Sequence, residues 1–372
     1  MKVLFMVNIP APYRVDFFNE LGKSCDLTVL FEQRRDKSRN SKWEADEAAG
    51  FHAVFLEGVR MGEADAFCPG VITFLSLKKY DVIIVGAYHT PTGRFAIDYM
   101  RRKKIPFLLS TDGGMIKKDN FLKYRVKYHY IHSAFMWLAP GAAAARYLGH
   151  YGAEPDRIRS YPFTSVRECD IQKNAAQRKA ELRAKLGIPY RKLLLAVGQF
   201  IPRKGFDILL RACAGLDPSV GVCLVGGKPT QEYLDICERF HLTNVRFVDF
   251  QSKESLAEYY DAADLFVHPT REDIWGLVIN EALAHGLPVI TTDRCLAGAE
   301  MVRDGWNGRI VPAESDALHD AIAELVLDEG KTGLFARRSL EIAEACTIEQ
   351  MSRAHLEVFA EFLDRSSRFG EA

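Results

Sequence analysis

Two short loops in the second half of the sequence carry residues suited to holding a diphosphate. The first loop, Gly198–Gly205 (GQFIPRKG), places the adjacent cations Arg203 and Lys204 in a turn bounded by glycines, before a helical pattern. Such a turn lets the backbone approach a ligand, and the cations match the charge of a diphosphate. The alternative is that both side chains form a solvated surface, as most Lys and Arg residues do.

The second loop, Pro269–Gly276 (PTREDIWG), precedes a helical pattern that starts at Leu277 and contains Glu281. A helix N-terminus offers unpaired N–H groups and partial positive charge, which suit a phosphate. Glu281 lies on an apolar helix face and needs a partner, such as the hydroxyl groups of a ligand. The alternative is that Asp273 is the N-cap of this helix and that Glu281 pairs with a nearby base.

Trp275 and Gly276 stand together at the start of this helix. A glycine at such a place permits close approach of the backbone to a ligand. The alternative for Trp275 is ordinary packing in the core.

Apolar runs and helical patterns alternate along both halves of the chain, which predicts an α/β protein with two doubly wound parallel sheets. The predicted strands are Val3–Val7, Leu27–Phe31, Asp81–Val85, Pro106–Leu109, Leu193–Val197, Val222–Val225, Val245–Val248, Leu265–His268 and Pro288–Thr291. The predicted helices are Val15–Leu21, Phe95–Arg102, Phe206–Leu216, Tyr233–Phe240, Leu256–Ala262, Leu277–His285 and Thr347–Leu363. We expect a linker near residues 167–190 and ligands at the carboxyl ends of the strands.

The composition is that of a soluble globular protein, with no apolar run long enough to span a membrane. The apolar start of the chain is interpreted as a first strand and not as a signal peptide. Eight cysteines are scattered without C-x-x-C spacing, which favours free thiols in a reducing cytoplasm over disulfides or a zinc site.

Charge is uneven although the net charge is zero. Residues 1–168 contain 25 Lys and Arg against 18 Asp and Glu, whereas residues 169–372 contain 24 against 31. The basic half, with Arg101–Lys104 and Lys117–Lys127, suits contact with an anionic membrane, and the alternative is a solvated basic surface. No nucleic-acid-binding motif accompanies this charge, so no nucleic-acid partner is expected.

The loop GQFIPRKG, the pair Gly226-Gly227 and the segment EDIWGLVINEALAHGLPVI together resemble glycosyltransferase family 4, the retaining group 1 glycosyltransferases. The resemblance implies the GT-B architecture, in which two Rossmann-like domains with doubly wound parallel sheets face a cleft. It implies an acceptor domain over residues 1–168, completed by a C-terminal helix over 347–372, and a donor domain over 169–346.

The family's two motif acids fall on Asp273, which would contact the donor sugar, and Glu281, which would bind the ribose. Glu272 is an alternative for the first acid, because this chain has the shorter Asp where the family has Glu. Gln199 replaces a family Arg, and Arg203 would restore its charge beside Lys204. The implied donor-binding residues are Gln199, Arg203, Lys204, Gly226, Gly227, Phe250, Glu272, Asp273, Ile274, Trp275, Gly276, Leu277 and Glu281.

The acceptor side departs further from the family. The loop after the first strand implies acceptor binding by Asn8, Pro10, Tyr13 and Arg14, with Thr90 after the third strand. Many members carry a His after the fourth strand, where this chain has Asp112. Asp112, Asp273 and His89 are therefore the catalytic candidates, and the alternative for His89 is a structural role.

The resemblance implies a retaining transferase that uses a UDP-sugar, or GDP-sugar as second choice, to extend a glycan or lipid-linked saccharide in cell-surface polysaccharide synthesis. The chain lacks the Asp-x-Asp motif of metal-dependent glycosyltransferases. No metal and no cofactor beyond the nucleotide-sugar is therefore expected. A cytoplasmic location, peripheral on the inner face of the cell membrane, follows from the family's habit and the basic half.

Three other functions are alternatives to glycosyl transfer. A nucleotide-sugar epimerase of the same architecture would turn over donor without an acceptor. A dinucleotide dehydrogenase would need Gly-x-Gly-x-x-Gly after the first strand, where this chain has Asn-Ile-Pro-Ala-Pro-Tyr. A degenerate transferase that only binds a saccharide or partner remains open because of Gln199 and Asp273.

Overall fold

The computed structural model describes residues 1–34, 49–173 and 175–369. The chain divides into a first unit, residues 1–165 with 347–372, and a second unit, residues 166–346. The sequence had placed this boundary after residue 168. The three last residues of the expected C-terminal helix, 370–372, lie outside the described part.

The first unit is built on a sheet of seven parallel strands in the order β3-β2-β1-β6-β7-β8-β9. A separate two-stranded antiparallel ribbon consists of β4 and β5. The strands of this unit are β1 Lys2–Val7, β2 Asp26–Phe31, β3 His52–Phe55, β4 Val59–Arg60, β5 Ala66–Phe67, β6 Val82–Val85, β7 Leu108–Ser110, β8 Met136–Ala139 and β9 Ile158–Ser160. Central strands such as β6 are buried along their whole length, which explains their unbroken apolar sequence.

Helices follow most of these strands and begin and end at sequence signals. The helices are α1 Pro12–Leu21, α2 Pro91–Lys103, α3 Phe121–Ile131 and α4 Gly141–His150. In α2 the Thr90 side chain accepts a hydrogen bond from the Gly93 N–H, and Pro91 occupies the first turn. The helix ends at Lys104, which adopts the left-handed conformation with φ of 54°.

The second unit is also built on a parallel sheet, which has six strands in the order β12-β11-β10-β13-β14-β15. Its strands are β10 Lys192–Val197, β11 Val220–Val225, β12 Val245–Val248, β13 Leu265–His268, β14 Val289–Thr292 and β15 Gly308–Val311. The order reverses between β10 and β13, so the carboxyl ends of these two strands border the crevice where such sheets bind ligands.

Helices cover both faces of this second sheet. They are α5 Ala175–Leu186, α6 Phe206–Ala212, α7 Gln231–Arg239, α8 Lys253–Ala262, α9 Leu277–Ala284, α10 Leu296–Met301, α11 Ser315–Leu327 and α12 Glu329–Glu344. The polar segment suggested as a linker contains α5, which packs on α8. Its basic residues Lys179 and Arg183 both bind Asp264, so the polar pattern reflects ion pairs within the second unit.

The last helix, α13 Ile348–Phe369, belongs to the first unit and packs on α1. Phe359 and Phe362 are buried, and the His355 ring lies 4.7 Å from the Phe17 ring. Within the described part of the chain, no helix combines the length and the hydropathy needed to cross a membrane. The predicted fold class, two Rossmann-like units with doubly wound parallel sheets, is confirmed.

Candidate functional site

The loops after β10 and β13 touch each other at a glycine. Gly205 has a φ of 69°, and a Cβ at this position would lie 2.0 Å from the Pro269 carbonyl oxygen. A side chain is therefore excluded on both conformational and steric grounds. Gly226, after β11, is packed in the same way against Gly198, because its Cβ would lie 2.3 Å from the Gly198 oxygen. These glycines bring three strand ends into direct contact.

The contact places both cations of the first loop on Asp273 of the second. Lys204 Nζ lies 2.5 Å from Asp273 Oδ2, and Arg203 Nη1 lies 3.3 Å from Asp273 Oδ1. Arg203 also donates to the Glu272 carbonyl oxygen at 2.7 Å. Burial alone would raise the pKa of Asp273, but the His268 hydrogen bond and the Lys204 charge hold it well below its usual range. The site therefore contains a permanent carboxylate between two cations.

His268, the last residue of β13, is a member of this site that the sequence analysis missed. Its Nε2 lies 3.1 Å from Asp273 Oδ2, and the ring is buried. Burial lowers the pKa of His268, so the ring is neutral and its Nε2–H donates to the carboxylate. Its Nδ1 has no hydrogen-bond partner among the described residues. A polar residue that ends an otherwise apolar strand was the available signal.

Helix α9 begins at this cluster, as predicted. Gly276 is its N-cap with a φ of 102°, and a Cβ there would lie 2.9 Å from Cys295 Sγ. Asp273 is thus not the cap, and the alternative role considered for it is wrong. The first N–H groups of α9 start next to the Lys204–Asp273 pair, which makes this loop a positive site for a phosphate.

The Trp275 side chain serves packing. The residue is buried, and its indole N–H donates to Asn280 Oδ1 at 3.0 Å. Its carbonyl oxygen accepts hydrogen bonds from Cys295 Sγ at 3.0 Å and from the Ala297 N–H at 3.0 Å. The core-packing alternative therefore describes the indole, while the Trp275 backbone lies in the loop before α9.

Glu281 has a buried hydroxyl as a partner. Tyr260 donates to Glu281 Oε2 at 2.9 Å, and burial raises the pKa of Tyr260 well above its usual value, so the hydroxyl remains a donor. The Tyr260 ring stacks on His285, whose Nδ1 lies 2.5 Å from Asp261 Oδ1. Half-buried Glu281 is thereby oriented by side chains from α8 and from the end of α9. Nothing in the local sequence indicated Tyr260, because the contact joins residues 21 positions apart.

The remaining donor-side candidates follow strands of the same sheet, and their side chains differ in exposure to solvent. Gln199 and Ile274 are exposed, whereas Gly227, Phe250, Glu272 and Leu277 are half-buried. Arg271 binds Asp207 through two hydrogen bonds, of 2.7 and 2.6 Å, which fix the second loop on α6. This bidentate pair gives the loop a rigid base beside the cations.

In the first unit, the first turn of α1 and the loop after β7 bring three predicted residues together. The Tyr13 hydroxyl donates to Asp112 Oδ2 at 3.0 Å, and Arg14 Nη2 donates to the same oxygen at 2.5 Å. Burial raises the pKa of Tyr13 to about 12, so its hydroxyl stays protonated. Asp112 is partly exposed and anchored by two neighbours, which leaves its second oxygen available for a hydroxyl-bearing ligand.

Thr90 is different, because its hydroxyl is used inside the fold. Thr90 is fully buried, donates to Glu32 Oε1 at 2.5 Å and caps α2. The geometry assigns it a structural role, in place of the acceptor contact expected from the sequence. His89 is exposed just before it, and Asn8 and Pro10 are half-buried after β1. Glu32, which the sequence analysis missed, is a buried carboxyl group with a pKa raised to about 7 by burial.

Comparison with known proteins finds a family model that matches part of the chain. Residues 178–339 match the family model of the glycosyl transferases group 1. The match covers most of the second unit, with all the donor-side candidates, and less than half of the chain.

Among the described residues, no group of three or more His, Cys, Asp or Glu side chains is placed to hold a metal.

Curated relatives match over part of their length. The chain is 30% identical over 227 residues to the D-inositol 3-phosphate glycosyltransferase of Saccharomonospora viridis, covering 57% of this chain and 52% of the relative. It is 29% identical over 181 residues to the lipopolysaccharide glucosyltransferase WaaG of Escherichia coli, covering 46% and 48%. The chain thus spans about half the length of the curated relatives it matches.

Solved structures match nearly the whole chain. Anabaena HepE in complex with UDP superposes with a TM-score of 0.79 at 20% identity, covering 97% of this chain and all of HepE. Sucrose-phosphate synthase of Thermosynechococcus elongatus gives 0.75 at 18% identity, covering 98% of this chain and all of the synthase. At these identities the likeness establishes the shared fold.

Proposed function

We propose that the protein is a retaining, metal-independent glycosyltransferase of family 4, which moves a sugar from a nucleoside diphosphate to a saccharide acceptor. The observation that carries the proposal is the pair Lys204–Asp273, at 2.5 Å, beside the N-terminus of α9. It lies at the point where the strand order reverses and inside the segment that matches the group 1 family model. Cations, a helix end and a carboxylate together suit a sugar diphosphate.

The charged donor-side residues and Phe250 have the following roles in this proposal. Lys204, Arg203 and the first turn of α9 bind the diphosphate, and Lys204 exchanges part of its contact with Asp273 for a phosphate oxygen. Asp273 accepts hydrogen bonds from hydroxyl groups of the donor sugar. Glu281, held by Tyr260, accepts those of the ribose, and the segment around Phe250 borders the base.

The reaction breaks the bond between the anomeric carbon and the phosphate oxygen and forms a bond from the same carbon to an acceptor oxygen. On a retaining path, the departing phosphate oxygen takes the acceptor proton on the face that it leaves. The protein then contributes positioning and charge stabilisation. Lys204, Arg203 and the α9 N-terminus stabilise the negative charge that grows on the diphosphate, which is the work a metal ion does in other transferases.

UDP is the proposed nucleotide, and GDP is the second choice. The support for UDP is that Anabaena HepE, which shares the fold over nearly the whole chain, was solved with UDP and with UDP-glucose. Because the diphosphate has protein cations, we expect transfer to continue in the presence of EDTA. Loss of activity on chelation would contradict metal independence.

The acceptor side is assigned to the first unit. Tyr13, Arg14 and Asp112 form its polar cluster, and Asp112 takes the place that many family members give to a His. We propose a glycan or lipid-linked saccharide acceptor in cell-surface polysaccharide synthesis, with the enzyme in the cytoplasm and peripheral on the membrane. The support is the basic composition of residues 1–168 and the name of the relative WaaG, a lipopolysaccharide glucosyltransferase.

The deciding experiment is a thermal-shift panel with UDP, GDP, dTDP, CMP and their sugar conjugates, without metal. A ligand at about a hundred times its dissociation constant adds roughly 2.7 kcal/mol of stability. We expect UDP and one UDP-sugar to raise Tm in the wild type and much less in Lys204→Ala. If no nucleotide shifts Tm, the protein is better described as a degenerate transferase that only binds a saccharide or partner. If the protein converts the bound nucleotide-sugar when no acceptor is present, it is an epimerase.

A further inference from the structure

Helix α3 of the first unit carries large apolar side chains in solvent. Phe121 is 71% exposed and Leu122 is 73% exposed, and Val126 and Ile116 are also exposed. Together with the neighbouring cations they form one surface, which we call the α3 face. The α3 face consists of Ile116, Lys117, Lys118, Phe121, Leu122, Lys123, Arg125 and Val126.

The opposite side of α3 holds the helix to the unit. Ile131 is buried, Tyr124 donates to the His150 carbonyl oxygen at 3.1 Å, and Lys127 Nζ lies 2.7 Å from Asp119 Oδ2. Asn120 caps the first turn by accepting a hydrogen bond from the Lys123 N–H at 2.8 Å. The helix is therefore fixed in position while Phe121 and Leu122 point away from the unit.

The charge of this segment is strongly one-sided. Residues 113–131 contain five Lys and Arg and a single acid, Asp119. The Asp119 side chain is buried and bound by Lys123 and Lys127, so it adds no exposed negative charge. Arg125 stacks over the Phe121 ring at 5.4 Å, which places a cation beside the apolar tip.

We propose that the α3 face docks the protein on an anionic lipid bilayer. Apolar tips that insert into the acyl region, ringed by Lys and Arg at the level of the headgroups, fit a membrane surface. A protein partner would need acidic residues opposite each cation at fixed positions, whereas anionic headgroups adapt to any arrangement. The α3 backbone is already helical before docking, so binding does not have to order it.

The position of the α3 face also names the class of acceptor, a step that rests on the proposed function. Asp112 follows β7 at the carboxyl edge of the sheet, and α3 begins nine residues later at that same edge. The α3 face therefore begins at the edge of the sheet that carries the Tyr13–Arg14–Asp112 cluster. The acceptor is a saccharide whose lipid anchor stays in the membrane.

The test is flotation with vesicles of phosphatidylcholine alone or mixed equally with phosphatidylglycerol. We expect the 372-residue protein to bind the anionic vesicles at least about tenfold more tightly than the neutral ones. The double variant Phe121→Ser/Leu122→Ser should lose at least about tenfold in affinity. The matched control is Leu327→Ser, because Leu327 is 80% exposed on the second unit and should not contact the bilayer.

A second pair of variants tests the charge. Lys117→Glu/Lys118→Glu should also lose at least about tenfold in affinity, since each cation near the surface contributes roughly a fivefold effect. The control, Lys78→Glu/Lys79→Glu, reverses two exposed adjacent lysines elsewhere in the first unit and should bind nearly as the wild type. All four variants change exposed residues, so an unchanged Tm verifies folding.

Three results overturn the proposal. They are equal binding to both vesicle types, loss of binding in the controls to the same degree as in the α3 variants, and an α3 variant that changes the oligomeric state without lipid, which indicates a second copy as the occupant. The UDP thermal shift is measured on the same variants without lipid. If UDP raises Tm normally but the protein does not bind anionic vesicles, only the inference about the α3 face is contradicted. If the protein binds the vesicles but no nucleotide raises Tm, only the proposed function is contradicted.

Discussion

Lys204 Nζ lies 2.5 Å from Asp273 Oδ2, and this pair joins the loop after β10 to the loop after β13. Both side chains are largely withdrawn from solvent, with 12% and 11% of their surface exposed. Asp273 also accepts a hydrogen bond from neutral His268, its carboxylate remains charged, and Lys204 is held against it, where the proposed function requires a cation for the diphosphate. The cation is thus positioned by its own protein before any substrate arrives.

Lys204→Ala should lower kcat by at least about tenfold, because removal of one charge-stabilising contact typically costs about 3 kcal/mol of barrier. Steady-state kinetics with donor and acceptor measure the effect. The control Lys185→Ala removes an exposed lysine that pairs with Glu258 on the second unit and should leave kcat unchanged. Turnover of Lys204→Ala within about twofold of wild type would reject the role.

Tyr260→Phe should raise the KM for the donor by roughly three- to tenfold while changing kcat little, because a hydrogen bond to a charged group contributes about 1.5–3 kcal/mol, part of which water replaces. The substitution removes the hydroxyl that donates to Glu281 without altering the ring that stacks on His285. Tyr259→Phe is the control, since it removes a hydroxyl from the adjacent buried tyrosine. Equal kinetics for the two variants would show that Tyr260 does not position Glu281.

Gly205→Ala should destabilise the protein more than Gly215→Ala. Both glycines have positive φ, 69° and 82°, but a Cβ at Gly205 meets the Pro269 oxygen at 2.0 Å, whereas a Cβ at Gly215 has nothing within 4 Å. The backbone conformation costs each variant about 1 kcal/mol, and the clash adds roughly 1–3 kcal/mol more at Gly205. Denaturant unfolding measures both losses, and equal losses would mean that the two loops separate freely.

The sequence predicted the second unit better than the first for a physical reason. Its central strands β10, β11 and β13 are buried along most of their length, so each overlaps a predicted apolar segment, and α9 begins where predicted. Edge strands such as β3 escaped prediction, because half of their residues face solvent and the run reads HAVF. An edge strand of this kind can be identified only from its hydrogen-bonded pairing with the neighbouring strand in the folded protein.

The loops that carry the candidate site were also found from the sequence, because glycines and cations after a strand form a local pattern. His268, Tyr260 and Asp207 were not found, since each acts through a contact made only in the folded chain. Thr90 was placed with the acceptor because it follows a strand, yet the fold uses its hydroxyl to hold Glu32. Proximity to a strand end predicts the region of a site but not which side chains remain free.

Glu32 should make stability depend on pH in the neutral range. Its folded-state pKa is about 7 against an ordinary value of 4.5, because burial disfavours the carboxylate. Between these values the folded state binds more protons than the unfolded state, so stability falls as pH rises from about 4.5 to 7. The loss amounts to at most roughly 3–4 kcal/mol.

Glu32→Gln tests this prediction, because Gln copies the protonated acid. When Glu32 is ionised, the Thr90 hydroxyl donates to its Oε1. When Glu32 is protonated, its O–H can donate to Thr90 Oγ1 instead, the Thr90 hydroxyl then donates to the Ala87 carbonyl oxygen, and Glu32 Oε2 accepts from the Ala66 N–H. The Gln amide reproduces this pattern at every pH. Unfolding free energies at pH 5 and pH 8 should therefore show a stabilised variant at pH 8 and near equality at pH 5, whereas the exposed control Glu57→Gln should follow the wild type at both. A variant less stable than wild type at pH 8 would mean that Glu32 is held as a carboxylate.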